Sequence, residues 1–170
     1  MRCGALTISD RATSGVYEDR SGPAIVGEIE KWFEPAVEWH RTVIPDETER
    51  IVAELQRMCD VEDCWLVLTT GGTGPAPRDV TPEATRVVLE RELPGIAEAI
   101  RLSNFPRIPT AILSRAVAGI RGRSLVVNLP GNPRAIGESL PFLVGAIAEA
   151  VDHLRGERPA LRRKPVLVQE

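Results

Sequence analysis

One junction recurs along this chain and constrains its fold more than any other feature. A short apolar run stops abruptly in polar or glycine-rich sequence, and residues at helical spacing follow. Cys3–Ile8 stops at Ser9-Asp10, and Val37–Ile44 stops at Pro45-Asp46. Trp65–Thr69 runs into Thr70-Gly-Gly-Thr-Gly74, and Leu125–Leu129 ends in Pro130-Gly-Asn-Pro133. Runs this short suit strands buried on both faces. Strands alternating with helices predict an α/β fold, a three-layer α/β/α sandwich around a mostly parallel sheet. In such sheets ligands bind beyond the carboxyl ends of the strands. The four polar strand ends are therefore expected to meet in one cleft.

The intervening segments read as helices. Pro23 sits in a first turn, with Ile25, Ile29, Trp32 and Phe33 at helical spacing. Asp46-Glu-Thr-Glu49 opens a helix carrying Ile51, Leu55 and Met58 on one face. Thr81-Pro82 reads as an N-cap with proline at the first helical position, and another helix starts near Pro94. Gly119 and Gly122 suggest a hairpin before the last strand. Asn132 and Pro133 start a final helix with Ile136, Leu140, Leu143, Ile147, Val151 and Leu154 in phase, which Pro141 is expected to kink or break. Residues 1–155 are expected to form one domain, with 156–170 as its tail or edge segment.

At 170 residues the chain can bury a substantial core. Its net charge of −3 argues against nucleic acid as a partner, so an anionic ligand would need local help. Cys3, Cys59 and Cys64 make neither a disulfide framework nor a zinc motif and read as reduced thiols. No run approaches membrane-spanning length and no signal peptide is expected, which suggests a cytoplasmic protein.

The glycine loop has two readings. It is either a turn that needs positive φ, or a phosphate cradle in which backbone N–H groups converge, aided by Thr70, Gly71, Gly72, Thr73 and Gly74. It is neither a P-loop nor the dinucleotide fingerprint. Asp79 either pairs with Arg78 or a helix start, or places a divalent cation beside a phosphate. Asp46 either caps its helix in a box with Glu49 or faces the same cleft. Ser9 and Asp10 could meet a ligand or stabilise their turn. Asn128 could read a ring edge while Pro130 and Gly131 leave room for the ligand, or that segment could be a turn alone. No nucleophile–base–orienter arrangement is visible.

Five blocks carry a resemblance: "TISDRATSGVYEDRSGP", "IPDE", "TTGGTGPAPRDVTPEAT", "PTAILSRAVAGIRG" and "NLPGNP". Together, from Thr7 to Arg155, they resemble the molybdopterin adenylyltransferase family, which includes the gephyrin-type G domain. The resemblance implies a molybdopterin-binding fold, commonly a homotrimer, and transfer of AMP from Mg-ATP to the terminal phosphate of molybdopterin. It implies Asp46 and Asp79 as catalytic and Mg²⁺-binding residues, the Gly71–Gly74 loop as the nucleotide and pterin-phosphate loop, and hand-over of product to a molybdenum insertase. Some relatives carry arginine at the position of Pro77, and many carry serine at that of Asn104. A non-catalytic molybdopterin carrier of the same fold is the alternative, and a nucleotide phosphohydrolase ranks last.

Overall fold

The computed structural model describes residues 1–34 and 37–163. In chain order it contains β1 (Arg2–Ile8), α1 (Asp10–Thr13), α2 (Ser21–Glu30), β2 (Phe33–Glu34), β3 (Glu38–Ile44), α3 (Thr48–Gln56), β4 (Leu66–Thr70), α4 (Thr81–Val88), β5 (Arg91–Glu92), α5 (Pro94–Asn104), β6 (Ala118–Arg121), β7 (Ser124–Leu129), α6 (Pro133–Arg155) and β8 (Ala160–Leu161). A π-helical turn, Arg57–Val61, extends α3, and a 3₁₀ segment spans Pro109–Leu113.

The six-stranded sheet has the order β3-β1-β4-β7-β6-β5. β3, β1, β4 and β7 run parallel, while β6 and β5 are antiparallel additions. Gly122 sits at φ +53 in the β6–β7 turn, so the hairpin expected from the glycines is present. The central strands β4 and β7 are buried at every position, whereas edge strand β3 is partly exposed along its length.

Period-two alternation divides the core. Cys3 and Ala5 of β1, Leu66 and Leu68 of β4, and Leu125, Val127 and Leu129 of β7 pack with Ile25 and Ile29 of α2, Ile100 of α5 and the apolar stripe of α6. Leu6, Ile8, Val67 and Val126 face the other way, onto Ile51 and Leu55 of α3 and Ala84 and Val88 of α4. Each of these fully buried larger aliphatic side chains contributes about 1.5–3 kcal/mol of transfer free energy, so both helical layers are held by the sheet they cover.

Two local expectations give way to packing. The helix beginning near Pro23 ends at Glu30, and Phe33 enters β2, which pairs antiparallel with β8. α6 runs unbroken through Pro141, because Leu140, Leu143, Val144 and Ile147 are all buried against the sheet and hold the helix across the missing N–H. Of the C-terminal segment, Ala160–Leu161 forms the β8 edge, and residues 164–170 lie outside the described residues.

Candidate active site

The sheet brings the four strand ends together. Asp10 and Asp46 tie the first two. The Asp10 N–H donates to Asp46 Oδ2 (2.8 Å), and the Asp46 N–H donates to Asp10 Oδ1 (3.0 Å). The capping box expected at Asp46 therefore does not form. Glu47 holds the cap position of α3 and makes no side-chain cap bond. Ser9 caps the short α1, its Oγ accepting from the Ala12 N–H (3.2 Å). Thr70 Oγ1 donates to the Pro130 carbonyl (2.7 Å) and joins the ends of β4 and β7.

Gly71 and Gly72 both adopt positive φ, +97 and +62. A Cβ on Gly71 would collide with the Ile8 carbonyl oxygen, and one on Gly72 would lie 2.8 Å from Asp46 Oδ1. Only glycine allows the loop to lie this close to the neighbouring strand ends. Thr81 secures it: its N–H donates to the Gly72 carbonyl (3.1 Å) and its Oγ1 to the Gly71 carbonyl (3.0 Å). Thr81 is thus not the expected N-cap. Val80 holds that position, and the Thr81 hydroxyl is spent on the loop.

Two cavities flank this loop. The smaller, about 200 Å³, is lined by Ser9, Thr70, Gly71, Gly72 and Gly131 together with both Asp46 and Asp79. The larger, about 340 Å³, is lined by Thr73, Gly74, Pro130 and Gly131 on the loop side and by α5 and the 3₁₀ segment opposite. Gly131 borders both.

The charges of the smaller cavity are unevenly compensated. Burial pushes the Asp46 carboxyl above its ordinary range; the Asp10 amide opposes this, and the carboxylates of Asp10 and Asp79 add to it. The Arg78 guanidinium pairs with Asp10, not with Asp79, and holds Asp10 below the usual carboxylate range. Asp79 Oδ2 accepts from the Ala76 N–H (3.0 Å). Arg115 braces the loop from the far side: its Nε donates to the Gly74 carbonyl (2.8 Å), Nη2 to the Asp79 carbonyl, and Nη1 reaches Glu83. Two carboxylates on one polar cavity, with no guanidinium among the described residues paired to either, form a set that a small divalent cation suits. Among the described residues no three His, Cys, Asp or Glu side chains gather into an all-protein metal cage.

Asn128 is an expected site residue that lines neither cavity. It is fully buried; its Nδ2 donates to Thr69 Oγ1 (2.9 Å) and Thr85 Oγ1 (3.0 Å), and its Oδ1 accepts from the Val117 N–H (3.2 Å). Both amide heteroatoms are committed to a strut beneath the site, leaving neither to read a ring edge. Asp10 is engaged by Asp46 and Arg78 and lines neither cavity.

Residues without an individual sequence signal complete the walls. Tyr17 and Ser21 join the smaller cavity, the Ser21 hydroxyl donating to the Gly131 carbonyl (2.8 Å). Ile100, Arg101, Ile108, Leu113 and Ser114 wall the larger one. The free cysteines are buried, and burial pushes the Cys59 and Cys64 thiols up to about 11 and about 12, so neither is a nucleophile at neutral pH.

Known proteins resemble this chain along most of its length. The family described as "Probable molybdopterin binding domain" matches residues 4–150. A protein named molybdopterin adenylyltransferase from Helicobacter pylori J99 is 46% identical over 163 residues, 96% of this chain and 93% of that one. Its namesake from Escherichia coli K12 is 46% identical over 157 residues, 90% of this chain and 78% of that one. Among solved structures, the molybdopterin biosynthesis enzyme MoaB from Thermus thermophilus superposes with a TM-score of 0.83 at 43% identity, covering 92% of this chain and 98% of its own. The molybdopterin biosynthesis Mog protein of Mycobacterium ulcerans gives 0.80 at 38% identity, over 90% and 98%. By sequence and by fold, the chain belongs to the molybdopterin adenylyltransferase family.

Proposed function

We propose that this protein transfers AMP from Mg-ATP to the terminal phosphate of molybdopterin, forming adenylylated molybdopterin. A terminal phosphate oxygen forms a bond to the α-phosphorus of ATP, and the bond from that phosphorus to pyrophosphate breaks. The observation that carries this reading is the pairing of Asp46 and Asp79 on one polar cavity beside the glycine loop, with an apolar-walled cavity across the same loop. One cavity suits phosphates and the other a flat ring, and the loop spans the distance over which the two substrates must meet.

Asp46 and Asp79 are the residues that would hold Mg²⁺, which usually takes one or two carboxylates and fills its remaining sites with water and substrate oxygens. When bound, the ion would neutralise phosphate charge and ease the repulsion among Asp10, Asp46 and Asp79. The chain's own work is positioning. Gly71 and Gly72 let the backbone approach the ligand, Thr81 and Arg115 hold that backbone still, and Thr70 keeps Pro130 and Gly131 against it. Ser9, Thr73, Gly74, Pro130 and Gly131 serve as binding residues on the cavity walls. A carrier that only held molybdopterin would have no use for two mutually repelling carboxylates beside its phosphate.

Residues 1–155 act as the catalytic domain, with 156–170 as its tail or edge segment. The assembly is a homotrimer, supported by exposed Leu102, Phe105, Ile112 and Phe142 on neighbouring elements. The protein works in the cytoplasm and passes its product to a molybdenum insertase; among the described residues no helix is long and apolar enough to cross a membrane. Mass spectrometry of a reaction with molybdopterin and Mg-ATP tests the central claim by looking for the adenylylated pterin. Asp79→Asn is expected to keep its fold and lose transfer by about a hundredfold or more. Normal turnover by that variant would remove Asp79 from the mechanism, and absence of product with the native protein would leave the carrier reading.

A further inference from the structure

We propose that Arg101 selects the heterocycle that occupies the larger cavity, admitting an oxo ring and disfavouring an amino ring. The inference rests on the transferase reading and adds to it a residue that tells the two flat substrates apart.

Among the described residues, Arg101, on α5, is the one charged residue lining a cavity otherwise walled by Ile100, Ile108, Leu113, Pro75, Pro130 and small polar groups. Of its three guanidinium nitrogens, only Nη1 is engaged among the described residues, donating to the carbonyls of Ser114 (3.2 Å) and Ala116 (3.2 Å). It forms no ion pair there. Its neighbours differ sharply. Arg115 has all three nitrogens occupied, and Arg78 is consumed by Asp10. Arg101 is therefore anchored at one nitrogen while Nε and Nη2, the two adjacent corners of the fork, remain for a ligand.

A guanidinium offers donors and no acceptor. The Nε/Nη2 pair is matched by an exocyclic oxo oxygen, which has two lone pairs, as arginine reads the oxo edge of guanine; adenine, with its exocyclic amino donor, is instead read by Asn or Gln. The two substrates differ in this respect. Molybdopterin carries a 4-oxo pterin, and ATP carries a 6-amino purine. The apolar walls alone would accept either ring. Arg101 places the pterin's 4-oxo oxygen in this cavity, where Nε and Nη2 both donate to it, and leaves adenine without a partner for its amino group.

Fluorescence titration with two simple pteridines tests the assignment without turnover. The probes are 6-hydroxymethylpterin, which has the 4-oxo group, and its 2,4-diamino analogue, which has an amino group there. Native protein is expected to prefer the oxo compound by roughly 10- to 100-fold, the range of a charge-assisted hydrogen bond. Arg101→Met and Arg101→Lys should both lose that preference, since neither presents a fork, while Lys keeps a cation that can still tether Ser114. With full substrates, both variants should raise the KM for molybdopterin more than that for ATP. Equal binding of the two probes by native protein would overturn the inference, as would equal weakening of both by the variants, which would make Arg101 a mere wall support. Displacement of the bound pterin by adenosine would overturn it too, by giving the cavity to the nucleotide. The two-probe titration does not depend on product formation, so a failed transferase assay is separable from a failed Arg101 assignment.

Discussion

Asp46 shows how one residue sets function against stability. Its folded pKa is raised, so the folded state binds its proton more readily than the unfolded chain does. The associated penalty is absent below the unfolded carboxylate pKa and complete once pH has risen through the folded one. Asp10 has the opposite sign: its lowered pKa supports the fold above the unfolded value, and that support fades as pH falls through the folded one. Asp46→Asn keeps an oxygen to accept from the Asp10 N–H and removes the repulsion. We expect its thermal midpoint at neutral pH to match or exceed that of the native protein, the gap closing as the buffer is acidified below the carboxylate range, while transfer activity is lost. A lower midpoint at neutral pH would show that the charge is stabilising. Asn128 teaches a complementary lesson. As a polar residue at the end of an apolar run it reads as a ligand contact, yet strand alternation puts it on the face of Val126, toward Thr85 of α4. Chemistry suggested the residue, and periodicity already pointed it away from the cleft.

At the scale of elements, the β4–α4 connection is the most constrained part of the site. Gly71→Ala would set a methyl group against the Ile8 carbonyl at a φ that L-residues avoid. We expect a loss of about 2 kcal/mol, a drop in thermal midpoint of about 4–8 °C for a chain of this size, and impaired transfer. An unchanged midpoint by calorimetry would mean the loop relaxes freely. The existence of each main strand and the convergence of their ends were legible in the sequence, because apolar runs and glycine punctuation are local signals. The partners of Asp46 and Thr81 were not. Their side chains have several partners within reach: Asp46 takes Asp10, 36 residues away and brought near by the sheet, and Thr81 takes the Gly71 carbonyl, ten residues back, which only the folding of the glycine loop presents to it. At Pro141, of the kink or break that propensity predicts, the break does not occur, because burial on α6 overrides it.

The whole molecule adds what no single segment encodes. The larger cavity is walled by Ile, Leu, Ala and Pro from α5, the 3₁₀ segment and the strand ends, residue types indistinguishable in sequence from ordinary core. Arg101 was hidden among 21 lysines and arginines. The proposed trimer also belongs to this scale. Leu102 is 70% exposed and Ile112 63%, more apolar surface than a solitary globule needs to show on adjoining elements. Leu102→Glu is expected to shift sedimentation from trimer to monomer while leaving the far-UV spectrum intact; an unchanged trimer would place the interface elsewhere. Finally, Arg115 directly follows Ser114 on the wall of the larger cavity, yet its guanidinium grips the carbonyl of Asp79 on the smaller one. A guest that displaced Ser114 would pull on the residue its co-substrate must meet, and any linkage so created would act by the same factor in either direction.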